Sequence, residues 1–96
     1  MPELLEKVKV SLRVSGDVFD SELTDLIASA RGDLARVGIV AAKEDMETDE
    51  TRPLVHRAVI LYCKGYFGYE ENSEKFVKAY ERLRDSLSMT GGYCAD

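Results

Sequence analysis

The chain of 96 residues has a single histidine, His56, and two cysteines, Cys63 and Cys94. Two thiols and one imidazole are too few for a zinc site, and a reducing compartment disfavours joining the thiols. Both cysteines are therefore expected to be free and without a role. On a helix, His56 and Cys63 would lie about 10 Å apart along the axis, whereas a thiol and its base need about 3 Å. No apolar run approaches the roughly 20 residues that span a bilayer. The start, Met1 to Lys7, carries acids and has no long apolar stretch, so it does not read as a signal peptide. Assembly in a cytoplasm is expected. The pair Gly91-Gly92 is followed by no Lys-Ser/Thr and is no phosphate loop. No paired carboxylates, metal cluster or Ser-His-Asp set stands at a recognisable spacing, so neither an enzyme nor a cofactor is expected.

What is present is ordinary globular material. The hydrophobic share is 45% and the net charge is −5. A chain of this length supports one core without disulfide staples, and its apolar share excludes wholesale disorder. The acidic balance repels a phosphate backbone, which argues against sequence-specific DNA binding. It does not exclude a protein past which DNA slides. There is no internal repeat, low-complexity tract or linker, so a single domain is expected over residues 1–90, followed by a short C-terminal tail, 91–96.

Periodicity predicts helices throughout. Pro2 suits a first helical turn, and Leu4, Leu5, Val8 and Leu12 recur at helical spacing. Ser15-Gly16-Asp17 breaks that segment. Asp20 or Ser21 is expected to cap a second helix, whose stripe is Leu23, Leu26, Ile27, Ala30, Leu34 and Val37 and whose stop is Gly38. Gly32, inside it, suggests a close helix approach. Residues 39–52 read as a long polar loop. Thr51 or Asp49 is expected to cap a third helix with Pro53 in its first turn, buried through Leu54, Val55, Ala58, Val59, Leu61 and Tyr62 and running to about Phe67 before Gly68. Asn72 or Ser73 opens a fourth, with Phe76, Val77, Tyr80, Leu83 and Leu87 inward and Glu74, Lys78, Arg82 and Asp85 outward. The fold class is all-α: a single small domain of about four helices, bundle-like.

Two stretches resemble a known family. Val8-Lys9-Val10-Ser11-Leu12-Arg13-Val14, followed by Asp20-Ser21-Glu22-Leu23 and Leu26-Ile27-Ala28, is similar to the opening of head–tail connector proteins of tailed bacteriophages, also described as DNA-packaging or head-completion proteins. There a short helix, an Arg-containing turn and an acidic helix start precede a Leu-Ile pair. Ala58-Val59-Ile60-Leu61-Tyr62-Cys63-Lys64-Gly65-Tyr66-Phe67-Gly68-Tyr69, with Glu74-Lys75-Phe76, Tyr80, Leu83 and Leu87-Ser88, resembles the family's second helical hairpin. The likeness covers nearly the whole chain except the middle loop. It implies a non-enzymatic subunit of a phage or prophage virion that forms a homo-oligomeric ring beneath the portal. That ring would extend the DNA channel without sequence-specific binding and give a tail-side head-completion protein a docking face. A small cytoplasmic helical interaction module or regulator is the alternative, and neither reading needs a membrane.

Three features invite a site. The acids Glu44, Asp45, Glu47, Asp49 and Glu50 lack the ligand alternation and central glycine of a calcium loop. They read as a solvated loop or, if the resemblance holds, as a channel-facing one to which DNA does not adhere. Tyr62, Tyr66 and Tyr69 form a stripe at i, i+4 and i+7 with only Lys64 basic among them. That is too little charge for nucleic-acid stacking, so the stripe is expected to pack on Phe76 and Tyr80, with Tyr66 and Tyr69 as candidate interface residues. Tyr93 has no core segment around it and is a further interface candidate, on a tail expected to be dispensable for folding.

Overall fold

The computed structural model describes residues 2–67 and 73–94. Among the described residues there are helices α1 (Pro2–Leu12), α2 (Asp20–Arg36), α3 (Arg52–Tyr66) and α4 (Ser73–Leu87), and no strand. Two short 3-10 turns, Val40–Ala42 and Glu44–Met46, stand between α2 and α3. The helix α3 is central. It packs most extensively on α4, then on α2, then on α1. The core follows the expected stripes: Leu4 and Val8 from α1, Leu23, Ile27, Ala30 and Leu34 from α2, Val55, Ala58, Val59 and Cys63 from α3, Tyr80 and Leu87 from α4. Leu26, Leu61, Tyr62 and Leu83 pack against it half-buried. Glu74, Lys78, Arg82 and Asp85 are exposed, as their spacing on α4 requires.

The helix ends differ from expectation in instructive ways. The first helix stops before Ser15, at Arg13, whose φ is +59°. The amides of Arg13 and Val14 donate to Val10 and Lys9 carbonyls at 3.1 and 2.9 Å. This is the paired closure that terminates helices, built here on an arginine where glycine is usual. The second helix ends in the same way on Gly38, φ +98°. Gly38 donates to Ala35 at 2.9 Å and Ile39 to Leu34 at 3.1 Å, and the buried Ile39 and Leu34 side chains supply the accompanying apolar contact. Neither Asp20 nor Ser21 caps α2. Phe19 holds the cap position with no side-chain bond, while the Asp20 carboxylate lies 2.8 Å from Lys9 Nζ and ties α2 to α1 instead.

The expected cap of α3 is likewise displaced. Thr51 precedes the helix but makes no bond into it. Thr48 and Thr51 instead cap each other: Thr48 Oγ1 accepts from the Thr51 amide at 3.2 Å, and Thr51 Oγ1 accepts from the Thr48 amide at 3.0 Å. That is the reciprocal arrangement of a capping box, with a second threonine in place of the usual acid. Gly68 and Asn72, named as stop and start signals, lie outside the described residues. Gly32 permits no close approach, since a Cβ there would meet nothing within 4 Å. The glycine that does is Gly65, where a Cβ would stand 2.6 Å from Val77 Cγ2 and 3.2 Å from the Val77 amide nitrogen. It lets α4 settle on α3.

Candidate functional site

The segment 39–51 is only in part the solvated loop its composition suggests. Ile39, Ala41 and Ala42 are buried. Arg31 of α2 donates to the Ala42 carbonyl at 2.6 Å, and the Ala41 amide donates to the Tyr93 carbonyl at 3.0 Å. The tail is thus stitched to this segment. Tyr93 and Cys94 pack half-buried on the core, and the Cys94 thiol points at the Leu87 and Ser88 carbonyls. Tyr93 therefore does not stand free. Its half-burial on the core is something sequence periodicity does not reveal.

Glu47 is the second departure. Its side chain is only 6% exposed. It accepts from Arg31 Nη2 at 3.2 Å, Arg52 Nε at 3.0 Å and His56 Nε2 at 3.1 Å. Burial alone would raise its pKa, but the Arg52 hydrogen bond and the neighbouring charges outweigh burial and hold it below the ordinary carboxylate value. His56 has Lys7 Nζ 3.0 Å from Nδ1. An ammonium can only donate, so Nδ1 accepts and the ring proton sits on Nε2, donated to Glu47. Burial lowers the His56 pKa, and Glu47 only partly offsets it. One carboxylate and one neutral imidazole thereby join α1, α2, the connecting segment and α3.

A second hub joins α2 to α4. Asp33 accepts from Tyr80 Oη at 2.6 Å, Arg84 Nη1 at 3.0 Å and Arg36 Nη2 at 2.7 Å. Burial opposes its ionisation, yet the Tyr80, Arg36 and Arg84 hydrogen bonds together hold its pKa at about 2. Burial pushes the Tyr80 hydroxyl upward, and Asp33 adds to the effect. Sequence reasoning missed both hubs. The signal was available in Arg31 and Asp33, two charges flanking an otherwise apolar stripe on α2.

The remaining candidates stay on the surface. Glu44, Asp45, Asp49 and Glu50 are exposed, and Asp49 pairs with Arg52 at 2.8 Å. Tyr62 packs edge-on against Tyr80, with ring centroids 5.1 Å apart, and carries Tyr66 at 4.6 Å. Tyr66 is itself 53% exposed, whereas Tyr69 lies outside the described residues. Phe76 takes a contact from Lys64 over its ring rather than from the tyrosine stripe. Burial pushes the Cys63 thiol up to about 12, which suppresses the reactive thiolate. His56 is engaged with Lys7 and Glu47, so the two do not form a dyad.

The family model described as Phage connector protein matches residues 4–93. The chain belongs to that family. The match opens at Leu4, buried on α1, and closes at Tyr93, whose carbonyl anchors the tail, so connector identity extends over the whole packed unit. Comparison with curated proteins gives no match, and comparison with solved structures gives none. Family membership makes the chain a structural component of the phage virion, interacting with other head or tail proteins. No helix among the described residues is long and apolar enough to cross a membrane.

Proposed function

We propose that this connector subunit assembles as a homo-oligomeric ring beneath the portal, extends the portal's DNA channel, and presents a docking face to a tail-side head-completion protein. The observation that carries the reading is the family match over residues 4–93. Features of the fold support the reading. One buried and one half-buried polar hub and a docked tail hold the helices in one arrangement, and a ring needs rigid, repeated contacts. Tyr66, an exposed aromatic on a supported ring, is a candidate contact, and Tyr69 continues the same stripe in sequence. Asp49 and Glu50, both exposed, are available to a channel wall on which DNA must not stick. The role is geometric and calls for no catalysis, and DNA passes without sequence-specific binding. The particle assembles in the bacterial host cytoplasm. Mixing the purified chain with portal and imaging the product by electron microscopy tests the reading. It expects an added rotationally symmetric layer on one portal face, and portal particles unchanged at saturating chain would overturn it.

A further inference from the structure

Between α1 and α3 runs an open groove of about 370 Å³. Pro53, Ile60 and Leu61 give it apolar lining, Ser11 and His56 neutral polar lining, and Lys7, Arg57 and Lys64 cationic lining. Among the described residues no carboxylate lines it, in a chain whose net charge is −5. Lys7 pairs with Glu3 at 3.6 Å, on an exposed edge, but neither Arg57 nor Lys64 pairs with a described carboxylate. Beyond Ile60 the apolar surface continues to Val10, 75% exposed, with Glu6 at its border. A trough with apolar and cationic lining fits a ligand that carries an apolar side chain beside carboxylates.

The chain itself presents such a segment. In the 3-10 turn Glu44–Met46, Met46 is 51% exposed and touches no core that would account for it, and Glu44 and Asp45 are exposed beside it. We propose that the groove of one copy receives the Glu44–Met46 turn of a second copy. Met46 sits over Ile60 and Leu61 while the two carboxylates meet Arg57 and Lys64. Methionine suits this task because its unbranched, polarisable side chain adapts to an irregular trough. The occupant is protein rather than a phosphate backbone, since Pro53, Ile60 and Leu61 offer apolar contact between the cations and the chain as a whole is acidic. Groove and turn are different patches of opposite character, so the contact is head-to-tail, the kind from which a ring closes. The inference rests on the connector reading only for bringing copies together.

Paired charge reversal tests it. One variant carries R57E and K64E, the other E44K and D45K. Glu44, Asp45 and Arg57 are exposed and Lys64 is half-buried over Phe76, so unchanged helical circular dichroism and melting are expected of R57E and of the turn variant, and R57E alone serves if K64E lowers the melting temperature. Sedimentation equilibrium should show wild-type association at or below about 1 mM. Each variant alone should weaken it about tenfold or more, and an equimolar mixture should restore it, because reversed groove meets reversed turn. A wild-type chain that stays monomeric, a mixture that does not recover, or loss with the groove variant alone would each overturn the proposal. Binding of duplex DNA that only the groove variant abolishes would also overturn it and assign the groove to phosphates. A layer on the portal that forms equally well with both variants would sink the groove contact while leaving the connector reading standing.

Discussion

A methyl group at position 65 has nowhere to go. The Val77 side chain can turn aside, but the Val77 amide nitrogen belongs to α4's backbone and can yield only if the helix moves. Gly65→Ala should therefore destabilise the domain by about 1–3 kcal/mol, the usual range for overpacking, despite alanine's better helix propensity. Gly32→Ala is the matched control. It sits mid-helix in open space, so the same change there should stabilise by roughly 0.5–1 kcal/mol. Urea denaturation of both variants checks the pair, and equal effects at the two sites would refute the close approach. From sequence the two glycines look alike, each a break in an apolar-periodic helix. Which one faces a neighbour depends on how α4 packs on α3, and no single segment's periodicity encodes that.

At the scale of elements, two carboxylates that sequence patterning treats as surface, and one buried imidazole, tie the helices together. Removing the Glu47 charge takes away the carboxylate that Arg31, Arg52 and His56 share, while Arg31 keeps the Ala42 carbonyl. Glu47→Gln should accordingly cost about 3 kcal/mol, measured by chemical denaturation. A loss below about half a kcal/mol would mean that water satisfies the cluster. The pH dependence follows from the same groups. Glu47, Asp33 and His56 all have folded pKa values below their unfolded ones, so the unfolded chain takes up protons first as pH falls. Stability should be full above the histidine reference of 6.5 and decline below it as His56 charges and loses Lys7 as a donor. It should fall further below about pH 4, ending near pH 2 when Asp33 is protonated. His56→Gln, which can still donate to Glu47, should remove the first stage and keep the second. The helices themselves were legible in sequence, because apolar spacing reports which face turns inward. The polar hubs were not, since a lone Glu or Asp in a charged run carries no mark of the cations that meet it from other helices.

At the scale of the whole molecule, the chain's last described residues decide whether the middle segment has a fixed shape. The sequence suggests a free tail, because two glycines follow α4 and no apolar run comes after them. In the fold, that glycine pair is the means of reversal: Gly92 takes φ +92°, and the chain turns back so that Tyr93 reaches the Val40–Ala42 turn. The Tyr93 carbonyl satisfies the buried Ala41 amide, which otherwise has no acceptor, and the ring packs half-buried against the core. A chain ending at Thr90 loses both. One buried hydrogen bond and a partly buried aromatic together are worth about 2 kcal/mol, which for a domain of this size lowers the melting temperature by about 10 °C. Tyr93→Ala keeps the backbone carbonyl and loses only the ring, so it should show part of that fall. Because the same contact steadies the segment that carries Glu44, Asp45 and Met46, truncation should also weaken copy-to-copy association beyond what Tyr93→Ala does. Melting followed by circular dichroism and sedimentation of the two variants separate the effects. An unchanged melting temperature in the truncated chain would return Tyr93 to the surface, where an aromatic side chain serves a partner rather than its own fold.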